Sequence, residues 1–358
     1  MDNTYLRLIF AFVIAFLLSL ATSPIVRIVA IKIGAVDEPR GERHKHKRVV
    51  ATAGGIAIFY SFLITVLCFL NISHAIRGLL IGGIIITALG LIDDISGIKY
   101  YIKFIVQILV ALLVVYHGIK IEKLNIPFIG MQLIFGDYAT PVTVLWIVAI
   151  TNSINLLDGL DGLAAGISTI SAITLVVTAI LMSDPVIAIL AVILAGAGSG
   201  FLPFNKYPAK MFLGDTGSTF LGFNLACISI MGLFKLYAVM SFSVPLLILC
   251  LPLLDTTIAF TRRILKGKSP FKADRGHIHH KLVDKGLSQK MAVFTLYTIS
   301  ALLSLSSIVM MLGGQSGQWR ALTLIIAVLF IVIVGYYFMP DMMKHTRDLY
   351  GKPKEENK

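Results

Sequence analysis

Charged residues are scarce in this chain of 358 residues: Asp, Glu, Lys and Arg make up 14%, and only 19 residues are acidic. Hydrophobic residues make up 57%, and the mean hydropathy is +0.88. A soluble globular domain needs a far more charged surface, so this composition excludes one and indicates a polytopic membrane protein. The three cysteines, Cys68, Cys227 and Cys250, all lie in apolar runs. This placement favours small buried side chains over disulfides or a metal site.

Apolar segments of about 20 residues, the length that crosses a bilayer, recur along the chain. They predict an all-α polytopic membrane protein with about eleven transmembrane helices (ten to eleven). We expect one transmembrane domain over 1–340 and a disordered tail over 341–358. Pro245 and Pro252 fall inside the ninth span, which should therefore be bent. The predicted spans are 5–26, 51–70, 76–92, 104–118, 139–157, 163–182, 185–202, 217–234, 237–258, 291–312 and 321–339.

Most Lys and Arg residues lie in loops on one side of these spans, including 27–50 and 260–290, and in the tail. Positive loops stay in the cytoplasm, so we predict an outer N-terminus and a cytoplasmic C-terminus in the plasma membrane. Topology then accounts for the net charge of +12, and nucleic acid is not an expected partner. The bilayer is the expected surroundings, and a homodimer is left open. The outer loop 119–138 alternates weakly and predicts a small hairpin.

Five aspartates lie where predicted spans meet the cytoplasmic loops: Asp93, Asp94, Asp158, Asp161 and Asp215. A carboxylate at a bilayer edge is costly, so such a cluster predicts a functional site. Paired carboxylates facing water are suited to holding Mg²⁺ against a phosphate.

Two of these acidic positions have an ordinary structural alternative. Asp93 and Asp94 come just before Gly97, which predicts a helix end, and a solvated helix end is the alternative. Asp215 stands at a loop-to-helix junction, where it is either an N-cap or a metal ligand at an anion-binding helix start. The sequence alone favours neither explanation for Asp215.

Asn152, Asn155, Asp158 and Asp161 are spaced by three residues. On a helix this spacing forms one polar stripe, which predicts contact with a polar ligand. A polar contact between helices is the alternative for the two asparagines, although it leaves the two Asp-Gly pairs unexplained.

Basic residues accompany the acids on the predicted cytoplasmic side. A run of Arg, His and Lys over 43–48 leads into Thr52 and two glycines, and the Arg262–Arg263 pair precedes the segment DRGHIHHK. Cations of this kind bind phosphates, whereas a zinc site needs a closed set of ligands. For the run over 43–48, a topology signal alone is the alternative. Carboxylates for Mg²⁺ with cations for phosphate predict phosphoryl transfer. The chain has no GxxxxGK[ST] motif, so an ATP-driven pump is not indicated.

Four segments, GLIDDISGIK, NSINLLDGLDGLAAG, PAKMFLGDTGS and DRGHIHHKL, resemble in sequence and order the motifs of the polyprenyl-phosphate N-acetylhexosamine-1-phosphate transferases. The resemblance covers most of the chain. The HIHH form resembles the WecA/TagO branch, which uses UDP-GlcNAc. The muramoyl-pentapeptide branch usually carries a PLHHH-type run and a TPTMGG segment, where this chain has DRGHIHH and VATAGG.

The resemblance implies transfer of GlcNAc-1-phosphate from UDP-GlcNAc to undecaprenyl phosphate, with release of UMP. It implies Mg²⁺, with Mn²⁺ as an alternative ion, inhibition by tunicamycin-type nucleosides, and a role at the first membrane step of wall teichoic acid or a related glycan. Transfer of phospho-MurNAc-pentapeptide is the alternative within the family. A secondary transporter is the alternative outside it, and its acids should lie near the bilayer midplane.

By motif position, the resemblance also implies residue roles. Asp215 would be the principal Mg²⁺ ligand with Asp94 beside it, and Asp93 the acid near the lipid phosphate. Phe212 would stack on the uracil, which Asp161 and Asn205 would read. The implied catalytic residues are Asp93, Asp94, Asp158 and Asp215. The implied substrate-binding residues are Lys47, Thr52, Asn155, Asp161, Asn205, Phe212, Arg263, His277, His279 and His280.

Overall fold

The computed structural model describes residues 3–37, 49–126, 131–233, 243–265 and 277–312, together with residues 322 and 325. Helices dominate these ranges. They are α1 Asn3–Ile33, α2 Gly55–Phe69, α3 His74–Ser96, α4 Tyr100–Tyr116, α5 Ala139–Leu157, α6 Leu163–Leu181, α7 Pro185–Asn205, α8 Gly214–Leu233, α9 Ser243–Ile248, α10 Cys250–Leu265, α11 Ile278–Asp284 and α12 Gln289–Leu312. The strands are β1 Val36–Asp37, β2 Val50–Ala51, β3 Lys123–Ile126 and β4 Met131–Ile134, and a 3-10 turn spans Gly136–Tyr138.

Within the described ranges, six helices are long and apolar enough to cross a bilayer. They are α1, α3, α5 with its preceding 3-10 turn, α6, α7 and α12, while α2 and α4 are shorter apolar helices. The predicted class, an all-α membrane protein, agrees with this architecture. The number of spans and their orientation stay predictions, because the eleventh span, apart from residues 322 and 325, and the tail lie outside the described residues.

The bend predicted in the ninth span is present as a break between two helices. α9 ends at Ile248 and α10 begins at Cys250. Pro252 has no N–H to donate to the carbonyl of Ile248, four residues earlier. The Ser171 hydroxyl of α6 donates to that carbonyl instead, at 3.2 Å. A neighbouring helix thus satisfies the carbonyl group that the proline leaves free.

Two short antiparallel hairpins accompany the helices. β3 pairs with β4, with Lys123 opposite Ile134, which confirms the hairpin predicted within 119–138. β1 pairs with β2, and Ala51 of β2 also forms an isolated parallel bridge with Met211. The pairing of β1 with β2 was not predicted. The Ala51–Met211 bridge joins the chain before α2 to the chain before α8.

α8 lies at the centre of the bundle, and its residues 216–232 are all buried. It packs against α2, α3, α5, α6 and α7. Contact with α3 is made at the backbone, because a Cβ added to Gly90 would lie 2.5 Å from the Cα of Thr216. The acidic end of α3 is thereby brought onto the first turn of α8.

Candidate active site

A cavity of about 1180 Å³ lies beside the N-terminal end of α8. Nine residues singled out from the sequence line it, although they come from five separate segments. They are Thr52, Asp94, Asn155, Asp158, Asp161, Asn205, Phe212, Asp215 and His280.

Backbone hydrogen bonds join the segment before α2 to the segment before α8. The N–H of Phe212 donates to the carbonyl of Ala51 at 2.8 Å, and the N–H of Gly54 donates to the carbonyl of Phe212 at 3.1 Å. Thr52 is therefore held next to the turn that carries Asp215. Thr52 lines the cavity, and its Oγ1 is buried and has no hydrogen-bond partner among the described residues.

Asp94 caps α8 although it belongs to α3. Its Oδ1 accepts from the Asp215 N–H at 2.9 Å, and its Oδ2 accepts from the Thr216 N–H at 3.1 Å and the Thr216 hydroxyl at 2.5 Å. These are first-turn N–H groups, which have no acceptor within their own helix. Gly214 has a φ of +72°, and a Cβ there would lie 2.4 Å from the Asp94 Oδ2. Asp215 is thus a first-turn residue rather than the cap of α8.

Asp93 and Asp215 share one cation. The Lys103 ammonium donates to the Asp93 Oδ2 at 2.8 Å and to the Asp215 Oδ2 at 2.6 Å. The Asp93 Oδ1 also accepts from the Ile98 N–H at 2.5 Å, which fixes the carboxylate at the end of α3. The two adjacent aspartates therefore differ: Asp94 faces the α8 backbone, and Asp93 faces the cation.

The oxygens around Lys103 fit a magnesium ion. A single positive group lies within hydrogen-bond distance of two carboxylates, Asp93 and Asp215, and carboxylate oxygens are the ligands that Mg²⁺ prefers. In the part of the chain that the structure describes, no group of three or more His, Cys, Asp or Glu side chains converges in a metal-binding geometry. Mg²⁺ does not need such a group, because it commonly binds one or two carboxylates and completes its shell with water and substrate phosphates.

The four polar residues spaced by three do not form one helical stripe. α5 ends at Leu157, so Asp158 and Asp161 lie in the following loop. The Asn152 amide donates to Gln107 of α4 at 2.6 Å, which is the polar contact between helices held open as the alternative. Asn155 donates to the Ser218 hydroxyl at 2.9 Å. Three of the four residues, Asn155, Asp158 and Asp161, therefore line the cavity, and Asn152 does not.

Asp161 and Asn205 organise the loop that leads to α8. The Asp161 Oδ2 accepts from the Ala209 N–H at 2.9 Å. Asn205 is 2% exposed, and its Nδ2 donates to the Met211 carbonyl at 3.1 Å. This bond fixes the orientation of the amide and leaves its Oδ1 buried without a partner among the described residues. That oxygen can accept a hydrogen bond from a ligand in the cavity.

The histidines lie at and near α11. His279 is 1% exposed and packs over Gly159, because a Cβ added to Gly159 would lie 2.2 Å from the His279 Nε2. His280 lines the cavity, while His277 is buried behind it. Arg263 lies in the last turn of α10 and is not among the lining residues. Lys47 lies outside the described residues.

Two residues of this region were missed by the sequence interpretation. Lys103 joins Asp93 to Asp215 from the start of α4, and Asp255 of α10 binds His277. Asp255 carried a signal, since an acid inside a predicted span is a functional candidate by the same rule that selected the others. Lys103 carried none, because one lysine near a predicted loop is ordinary.

The Asp158 carboxylate should cost the protein stability at neutral pH. Burial raises the pKa of the Asp158 carboxyl well above its usual range, and the Asp215, Asp94 and Asp161 carboxylates raise it further. A carboxyl whose pKa is higher in the folded state than in the unfolded state loses stabilisation as pH rises. We therefore expect Asp158→Asn, without divalent cations, to raise the melting temperature at pH 7 by about 2 °C or more.

The gain should shrink as the pH falls toward about 4, where the carboxyl is protonated in the folded state and about half protonated in the unfolded state. Melting curves of purified protein between pH 4 and pH 8 measure this. Asp137→Asn, at an exposed carboxylate in the 3-10 turn, is the matched control and should show no such trend. A lower melting temperature for Asp158→Asn at every pH would contradict the electrostatic account.

Comparison with known proteins agrees with the site chemistry. Residues 76–233 match the family model for Glycosyl transferase family 4. Over 338 residues, the chain is 40% identical to the probable undecaprenyl-phosphate N-acetylglucosaminyl 1-phosphate transferase of Bacillus subtilis (strain 168), with coverage of 94% of this chain and 93% of the relative.

Two further relatives carry related names. The chain is 33% identical over 342 residues to the decaprenyl-phosphate N-acetylglucosaminephosphotransferase of Mycolicibacterium smegmatis, covering 86% of this chain and 84% of the relative. It is 30% identical over 299 residues to the undecaprenyl-phosphate alpha-N-acetylglucosaminyl 1-phosphate transferase of Yersinia pestis, covering 80% of each. The similarity thus extends well beyond the segment matched by the family model.

Proposed function

The chain belongs to glycosyl transferase family 4, among its polyprenyl-phosphate N-acetylglucosamine 1-phosphate transferases, and from this premise we propose that it transfers GlcNAc-1-phosphate from UDP-GlcNAc to undecaprenyl phosphate. One structural observation carries the proposal. Asp93 and Asp215 converge on one cationic position at the α8 N-terminus, beside a cavity lined by polar residues. The names of the relatives favour GlcNAc-1-phosphate over phospho-MurNAc-pentapeptide as the transferred group.

The proposed reaction is a direct displacement at phosphorus. A phosphate oxygen of the lipid attacks the β-phosphorus of UDP-GlcNAc, and a new P–O bond forms. The bond from the β-phosphorus to the bridging oxygen breaks, and this oxygen leaves with UMP. A phosphate monoester has a second pKa of about 6, so the attacking oxygen is already largely ionised at neutral pH. We favour this route over a phospho-sugar intermediate on Asp93 or Asp94, and trapping such an intermediate without lipid would overturn the preference.

Magnesium is the proposed cofactor, with Mn²⁺ as a substitute, and would supply positive charge at the diphosphate and at the leaving UMP. Asp93 and Asp215 are the proposed ligands, because one oxygen of each carboxylate binds the same cation, the Lys103 ammonium. Asp94 was expected on the metal from motif position. Its oxygens are occupied by α8 donors, so we propose that it sets the position of Asp215.

The remaining lining residues divide by the groups that they present. The buried Asn205 Oδ1 can accept a hydrogen bond from the imide N–H of the uracil. Asp161 and Asn205 both bind the loop that leads to α8. Phe212 supplies an aromatic face in the same cavity. His280 is proposed to contact a phosphate, and Lys47, Arg263 and His279 keep the anion-binding role that their motifs imply.

We also propose that the site faces the cytoplasm. Arg27 and Lys210 line the cavity, and the loops that flank it hold much of the positive charge of the chain. Nucleotide sugars are made in that compartment, so this orientation gives the donor direct access. The product is then the first lipid-linked intermediate of a cell-surface polymer such as wall teichoic acid.

Release of UMP by purified protein tests the proposal. We expect release that depends on both Mg²⁺ and undecaprenyl phosphate, with UDP-GlcNAc preferred over UDP-GalNAc and UDP-MurNAc-pentapeptide, and inhibited by a tunicamycin-type nucleoside. Preference for UDP-MurNAc-pentapeptide would instead assign the protein to the muramoyl-pentapeptide branch of the family. Absence of UMP release with every donor would overturn the enzyme proposal.

A further inference from the structure

Asp255 is a buried acid that the proposed reaction does not use. It lies in α10 and is 3% exposed, and both of its carboxylate oxygens contact the start of α11. Its Oδ1 accepts from the Ile278 N–H at 2.8 Å, and its Oδ2 lies 2.9 Å from the His277 Nδ1. Burying a carboxylate is costly unless it is hydrogen-bonded, and these two bonds offset that cost.

The two bonds fix both the helix and the imidazole. A carboxylate only accepts hydrogen bonds, so the His277 Nδ1 carries the proton. The Ile278 N–H is a first-turn donor of α11, which makes Asp255 a cap supplied by another helix. α11 has only 7 residues, too few to be stable without such anchoring. Asp255 thus caps α11 from a neighbouring helix, as Asp94 caps α8.

A short chain of contacts leads from Asp255 to the cavity. The His277 ring stacks on the His279 ring, with centroids 5.7 Å apart and planes 11° from parallel. His279 packs over Gly159, in the loop that carries Asp158, and its ring centroid is 4.2 Å from that of His280. His280 lines the cavity. The orientation of the two histidines nearest the cavity therefore depends on the start of α11.

We propose that Asp255 is a positioning residue of the transferase site, which acts through His277 to place His279 and His280. The inference rests on the proposed function, since those histidines are assigned to phosphate binding there. A purely stabilising role accounts less well for a buried acid, because apolar residues of similar volume usually stabilise a core as well or better. Two directed hydrogen bonds to one short helix instead define its position and rotation.

Three single variants test the kinetic consequence. We expect Asp255→Ala to lower kcat/KM for UMP release about 100-fold, the loss expected from displacing a site group by about 1 Å. Asp255→Asn keeps an acceptor for Ile278 and should lose about 10-fold. Asp184→Ala, the control, removes a cap at the start of α7, where Asp184 accepts from the Ile187 N–H at 3.1 Å. It should stay within about twofold of wild type, since it is remote from the cavity.

A double variant separates positioning from stability. Asp255→Ala combined with His277→Ala should be no slower than Asp255→Ala alone, because both changes break one pair. Wild-type kcat/KM in Asp255→Ala would overturn the inference and leave the proposed function standing. Equal losses in Asp255→Asn and Asp255→Ala, matched by equal drops in melting temperature, would show a structural role only.

A spectroscopic measurement tests the contact between Asp255 and His277 independently of UMP release. ¹⁵N-histidine NMR of the full chain in detergent should show a protonated Nδ1 that His277→Gln removes. Asp255→Ala should remove the same signal, and Asp184→Ala should keep it. Persistence of the signal in Asp255→Ala would show that the two side chains do not interact.

Discussion

Asp215→Asn is expected to lower kcat for UMP release about a thousandfold while the protein remains folded. Asparagine keeps the shape of the side chain and the N–H that donates to Asp94, so the first turn of α8 should persist. What is lost is one of the two negative charges that face the Lys103 ammonium. Since that charge is proposed to hold Mg²⁺ at the reacting phosphates, its loss should affect the chemical step far more than donor binding.

Steady-state kinetics with saturating undecaprenyl phosphate, over a Mg²⁺ titration, measure this effect. Raising Mg²⁺ should recover little activity, because an amide oxygen is a weaker ligand than a carboxylate. Asp184→Asn changes a helix cap remote from the cavity and serves as the control, with kinetics close to wild type. Retention of more than about a tenth of the wild-type kcat in Asp215→Asn would contradict the metal assignment.

The second large effect concerns Asp94, for which alanine and asparagine should differ. A capping residue can be replaced by asparagine at little cost, whereas alanine leaves the first-turn N–H groups without an acceptor. Asp94→Ala should therefore lose about a hundredfold in kcat/KM, because Asp215 is displaced with the turn that carries it. Asp94→Asn should lose only about tenfold, since its amide oxygen can still accept from the Asp215 N–H.

UMP release by both variants, compared with Asp93→Asn, distinguishes a cap from a metal ligand. If Asp94 were a metal ligand, Asp94→Ala and Asp94→Asn would be equally inactive. Asp93→Asn would then lose no more UMP-release activity than either of them. Thr216→Val supplies a matched change, because it removes the hydroxyl that donates to Asp94 at 2.5 Å and keeps both backbone bonds. Its loss should be smaller than that of Asp94→Asn.

Much of the fold could be predicted because its signals are local. Apolar length predicted the helices, Gly97 the end of α3, two prolines the break between α9 and α10, and weak alternation the hairpin of β3 and β4. The stripe of polar residues failed in part, because α5 ends at Leu157 and period-three spacing has no meaning in the loop beyond it. The ends of elements depend on caps and packing, which spacing does not report.

The membrane class and the presence of acids and cations for phosphoryl transfer both follow from residue types and their order along the chain. The groups that each acid contacts depend instead on how distant helices pack. Asp94 and Asp215 are 121 residues apart, and Lys103 and Asp215 are 112 apart, yet each pair is hydrogen-bonded. Such contacts arise from the packing of α3, α4 and α8. The residues next to each acid in the sequence do not predict this packing. The different contacts of Asp93 and Asp94, and those of Asp255, are therefore visible only in the folded structure.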